Sequence, residues 1–124
     1  MNQMTSEEAG RIIKAYSFKP DLNEDEIALL IEALEYMLEG DCFTEEVWLF
    51  NLGHLYGRIG EYRLAVKYFM SALEYGADIA YLPLADTYFK MGEFEKAYDC
   101  YIKAAESGYE KPAAAGIRRL KQWM

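Results

Sequence analysis

The sequence is poor in the residues that mark most kinds of site. One histidine, two cysteines and three prolines are spread through 124 residues. Cys42 and Cys100 match no metal-ligand or redox spacing, and a reduced compartment suits both. With one histidine and no glycine-rich phosphate loop, most enzyme classes lack their parts. No apolar run approaches the roughly 20 residues of a membrane span. The opening MNQMTSEEAG has no basic stretch followed by an apolar one, so no secretion signal is read, and a cytoplasmic protein is expected. Positive charge is also short. Lys and Arg number 13 against 21 Asp and Glu, a net of −8, which argues against nucleic acid or an anionic membrane as partner. No stretch alternates with period two for long, so no strand is predicted.

What the chain does have is apolar content, 52% of residues, enough for the core of one domain. Its acidity is local. Residues 1–46 hold 12 acidic and 3 basic residues, and residues 47–124 hold 9 and 10. The first segment is therefore strongly acidic and the rest is balanced.

Helix signals follow one another closely. Thr5 and Glu8 have the spacing of a capping box, and Ala9, Ile12, Ile13 and Tyr16 follow at helical period. Lys19-Pro20-Asp21 breaks the chain. Asn23 with Glu26 starts a second helix, whose stripe Ile27, Leu30, Ile31, Leu34 and Met37 or Leu38 ends at Gly40-Asp41. Thr44 is placed to cap a third, with Glu45 and Glu46 near its positive end. Pro83 is a local conflict. A helix capped by Asp78 would lose a backbone bond there, so the helix is expected to start nearer Ala80 or to bend.

The second half repeats itself at an offset of 32. Leu52 recurs as Leu84, Tyr56 as Tyr88, Gly60 as Gly92, Glu61 as Glu93, Ala65 as Ala97, Ala72 as Ala104 and Gly76 as Gly108. Gly53 pairs with Ala85, Tyr62 with Phe94 and Phe69 with Tyr101. Each unit reads as helix, tight turn, helix. Small residues let the backbones approach and aromatics fill the space between pairs. One such pair cannot bury both its faces, so pairs must stack.

The pattern L-G-x-x-Y-x-x-x-G-E-Y-x-x-A-x-x-x-F-x-x-A over 52–72, with L-A-x-x-Y-x-x-x-G-E-F-x-x-A-x-x-x-Y-x-x-A over 84–104, resembles the tetratricopeptide repeat. KAYDCYIKAAESG at 96–108 also resembles the related Sel1-like repeat. Two family positions depart: the early Trp is Leu49 and Tyr81, and the closing Pro is Ala77, with Pro112 late. The resemblance implies an all-α fold, a right-handed superhelix of antiparallel helix pairs. About seven helices are expected in a single domain, 1–124. Residues 1–41 would be a diverged first pair, since ALEY at 33–36 returns at 72–75. The repeats would be 46–77 and 78–109, and 111–123 a capping helix with the stripe Ala113, Ile117 and Leu120. The end of the sequence after such a helix reads as the end of a whole protein.

The same resemblance implies a concave face lined by the first helix of each pair. Its positions here are Val47, Phe50, His54, Gly57 and Arg58, then Ile79, Leu82, Asp86, Phe89 and Lys90, then Ala114, Arg118 and Lys121. Spacing agrees, because Phe50, His54 and Arg58 lie at i, i+4 and i+8, as do Leu82, Asp86 and Lys90. Leu49, Leu52, Leu55 and Tyr56 already supply the core stripe. The candidate peptide-binding groove is thus Phe50, His54, Arg58, Leu82, Asp86, Phe89, Lys90, Arg118 and Lys121. The family's carboxylate clamp is rejected, since its positions hold Phe50, His54, Pro83 and Ala115, and only Lys111 matches.

Plainer readings stand beside this one. His54 reads first as a packed or solvated histidine and only then as a peptide contact, and no Ser, Cys or acid stands at a helical spacing to make it a base. Most tyrosines fall on packing stripes. Glu24-Asp25-Glu26 suits a helix start, and Arg118, Arg119 and Lys121 suit a helix end. Trp123 and Met124 either fold back or form a sticky patch. The leading reading is a non-catalytic module that binds a peptide segment of a partner protein, with some acidic character, as adaptor, chaperone or neutralising partner. It needs no cofactor and no metal. The alternatives are a homodimer through the last helix and, remotely, a small helical hydrolase.

Overall fold

The computed structural model describes the backbone of residues 4–17, 19–39 and 46–124, and their side chains except those of 46 and 47. Seven α-helices run through these residues, with no strand among them: α1 Ser6–Tyr16, α2 Glu24–Glu39, α3 Glu46–Arg58, α4 Tyr62–Glu74, α5 Tyr81–Lys90, α6 Phe94–Glu106 and α7 Glu110–Lys121. The architecture is the all-α repeat superhelix the sequence implied.

The starts of α1 and α2 form as their sequences dictate. Thr5 Oγ1 accepts from the Glu8 amide at 3.1 Å. Asn23 Oδ1 accepts from the Glu26 amide at 2.8 Å, and the Glu26 carboxylate accepts from the Asn23 amide at 3.1 Å. Each satisfies amide groups that the first helical turn leaves without partners. The predicted break at Lys19-Pro20-Asp21 also holds, since α1 ends at Tyr16 and α2 begins at Glu24. The proposed Thr44 cap, the Gly40-Asp41 stop and Cys42 lie outside the described residues.

Pro83 is accommodated by a delayed start. A 3-10 turn occupies Asp78–Ala80, and α5 begins at Tyr81. Pro83 is then the third helical residue, where the amide it lacks would have had no acceptor within α5. Its carbonyl accepts from buried Thr87 Oγ1 at 2.7 Å.

The turns reveal a finer period than the repeat. Gly60, Gly76, Gly92 and Gly108 have φ of 82°, 91°, 79° and 103°, a left-handed backbone that costs any other L-residue energy. After each glycine the next amide reaches back five residues, from Glu61 to Tyr56 O, Ala77 to Ala72 O, Glu93 to Tyr88 O and Tyr109 to Ala104 O, at 2.9 to 3.1 Å. α3 to α6 therefore end in the same closure, which fixes how each helix hands over to the next.

Two adjoining apolar clusters form the core. One gathers Leu49, Ala65, Phe69, Ala72, Leu84, Ala85, Ala97, Cys100, Tyr101, Ala104, Ala113 and Leu120 from α3 to α7. The other gathers Ile27, Leu30, Ile31 and Leu34 of α2 with Leu52 and Leu55 of α3. Tyr56 and Tyr68 join both and stack on each other, centroids 5.5 Å apart and rings 6° from parallel. The Tyr56 hydroxyl donates to Glu35 at 2.5 Å, tying α2 to α3.

Candidate functional site

The predicted groove residues do not all present themselves alike. Phe50 is half-buried, and its ring meets His54 at 4.6 Å and Phe69 at 5.9 Å, both near edge-on. His54 meets Phe69 in the same manner at 5.2 Å. Phe69 itself is 1% exposed. Gly53 makes this close approach feasible, since a Cβ there would lie 2.6 Å from the Phe69 ring. Phe50 was expected to be free of the core; instead it packs partly on it, because Gly53 lets Phe69 rise to meet it. Leu82 and Phe89 pack on the same cluster.

His54 still reaches solvent on one side. Loss of hydration against the two phenylalanines pulls its pKa below the ordinary histidine value, and the charge of Asp86 partly opposes this.

Asp86 is engaged within the protein. The Tyr101 hydroxyl donates to its carboxylate, and Arg119 Nη2 donates to the same oxygen at 3.1 Å. Arg119 also donates to the Tyr101 oxygen at 3.3 Å. Burial and this bond to Asp86 push the Tyr101 phenol up to about 12, with Arg119 opposing. One network thus joins α5, α6 and α7. Asp86 holds Arg119 in place.

On α7 the family resemblance put Arg118 and Lys121 toward the groove. Both are exposed, whereas it is Arg119 that reaches α5. Its guanidinium also sits 5.9 Å from the Phe89 ring centre. The buried stripe of α7 is Ala113, Gly116 and Leu120, with Ile117 only partly buried. Phe89 is further met by Phe94 at 5.7 Å and by Trp123 at 6.2 Å. Trp123 folds back toward α5 while remaining 64% exposed. Arg58 and Lys90 have no ion-pair partner among the described residues. The side chain of Val47 lies outside the described residues.

Arg119 and Gly116 are the members that sequence reading missed. Arg119 carried no signal separating it from its neighbours. Gly116 did carry one, because a glycine inside a helix costs about 1 kcal/mol against alanine and calls for a packing reason.

Beyond the site, the described residues hold no group of three or more His, Cys, Asp or Glu able to bind a metal. Among them, no helix is long and apolar enough to cross a membrane. Cys100 is buried, and that burial pushes its thiol up to about 11, so it is a packing residue and not a nucleophile at neutral pH.

Residues 49–75 and 79–107 match the family model of the tetratricopeptide repeat. Those two stretches are of tetratricopeptide repeat type. The crystal structure of MamA resembles it with a TM-score of 0.60 at 18% identity, over 94% of this chain and 85% of that one. At that identity the likeness is one of fold. No curated protein matches the sequence. The two matched repeats coincide with the helix pairs α3–α4 and α5–α6, and they place the chain among protein–protein interaction modules.

Proposed function

We propose that the chain binds a peptide segment of a partner protein across α3, α5 and α7, and that it does so without catalysis. The observation that carries this is the composition of the candidate face. Half-buried Phe50, Leu82 and Phe89 stand on α3 and α5 with exposed Arg58 and Lys90, and α7 adds exposed Arg118 and Lys121, on a protein whose net charge is −8. Apolar side chains of the partner would be desolvated on the aromatics, and acidic ones would be steered to the cations. His54 adds a contact beside Phe50. Asp86 serves through the network that fixes Arg119. The role is that of an adaptor, a chaperone or a neutralising partner, in the cytoplasm.

The test is partner capture from the native host, followed by hydrogen exchange on the purified complex. Protection over α3, α5 and α7, lost together with binding in Arg58→Glu/Lys90→Glu, supports the reading. Neither position belongs to the buried core, so the helical circular dichroism and the melt should stay close to those of the parent. Protection confined to α1 and α2 would overturn it.

A second reading is favoured by one observation. Trp123, beside the half-buried Phe89, and Met124, which lines a hollow with Phe94, are each 64% exposed, a patch that a second copy would cover. A strict monomer at high concentration by analytical ultracentrifugation removes that reading.

A further inference from the structure

A small hollow opens where the α1–α2 turn faces α3. It measures about 150 Å3, the size of an apolar protein cavity known to take a benzene-sized guest. Its floor is Leu30, Leu34 and Leu55, all buried. Its rim carries Lys19, Asn51 and Arg58, with His54 alongside, and no carboxylate among the described residues lines it. Lys19 is already paired with Glu26. Arg58 has no such partner among the described residues, so its guanidinium is the available charge.

Those two halves specify one kind of guest. The leucines would take an apolar body of about six carbons. The planar fork of arginine matches two oxygens of a carboxylate, and the Asn51 amide offers a further donor. We infer that this hollow is a binding site for a short aliphatic carboxylate. The same chemistry arises from a free short-chain acid or from a glutamate side chain of a partner segment. The latter source rests on the peptide-binding reading above, whereas the hollow itself does not.

The experiment is a 15N-resolved NMR titration of the full chain with pentanoate, and with pentan-1-ol as the uncharged control. Pentanoate should give saturable shifts centred on Asn51, His54, Leu55 and Arg58, with a Kd on the order of 1 mM. The alcohol should bind about tenfold more weakly. Arg58→Gln should weaken pentanoate about tenfold and leave the alcohol unchanged, a split that a merely structural role would not produce. Acetyl-Leu-Glu-Leu-amide, with its Gln counterpart, separates the sources. A glutamate peptide that binds more tightly than pentanoate assigns the site to a partner segment, and one that binds no better assigns it to a free acid. Shifts that fail to saturate, or equal affinity for acid and alcohol, would overturn the site. Partner capture protected on α3, α5 and α7 would survive that result, so the two readings fail separately.

Discussion

The ring of Tyr101 on α6 occupies the space that a side chain at Gly116 on α7 would need. Tyr101 is 2% exposed, and its hydroxyl is held by Asp86 and Arg119, so it cannot swing away. The glycine therefore sets how closely α7 seats on α6.

Gly116→Ala tests this by its sign. In an open helix the change gains up to about 1 kcal/mol, whereas overpacking costs about 1–3 kcal/mol. Gly10 is the control, since it lies inside α1 and a Cβ added there would meet nothing within 4 Å. Thermal melts should show Gly116→Ala below the parent and Gly10→Ala above it.

Tyr101→Phe keeps the ring and removes only the hydroxyl with its bonds to Asp86 and Arg119. A buried hydrogen bond to a charged group is worth about 1–3 kcal/mol, so urea unfolding should show a loss of that order with unchanged m-value. Asp86→Ala should destabilise as well, because it strips both Tyr101 and Arg119 of their shared acceptor. An Asp86→Ala protein as stable as the parent would return Asp86 to the role of a free contact residue.

His54 is the single histidine, so its ring gives one resolvable titration by NMR. The midpoint should fall below the ordinary histidine value. The folded pKa is depressed, so the unfolded chain binds the proton more readily. Stability contributed by neutral His54 is thus present above the unfolded pKa, and is lost as pH falls toward the folded one. As pH falls below about 6.5, the melt of the parent should drop by more than that of His54→Gln.

Tyr56→Phe removes the bond that ties α3 to Glu35 on α2 and keeps the stack on Tyr68. The expected cost is about 1–2 kcal/mol. Amide exchange should rise in α1 and α2 more than in α5 to α7, because the bond joins the first pair to the repeats. Uniform acceleration along the chain would contradict that placement.

Much of this architecture could be read from residue order because its causes are local. Thr5, Asn23, Gly60 and Gly92 act within four or five residues of themselves, and a cap or a left-handed turn needs only its own neighbours. Leu52 and Leu84 declare the repeat because equivalent places in stacked hairpins impose equal demands on size. Pro83 could be resolved too, since its cost depends only on where the helix begins.

Pairings between helices were set differently. Helical period assigns a residue to a face but does not say which side chain of the next helix arrives there, or at what height. Arg118 and Arg119 differ by about 100° around α7, and only the seating of Gly116 on Tyr101 decides that Arg119 reaches Asp86. The amino-acid order alone determined the helices, most of their ends and their repeat. The tertiary structure alone decided that Asp86 is spent on Tyr101 and Arg119, that Trp123 returns to Phe89, and that Arg58, unpaired among the described residues, stands beside a leucine-floored hollow. The reason is range: backbone hydrogen bonding is satisfied within a turn, while the partner of a long side chain depends on how whole helices pack.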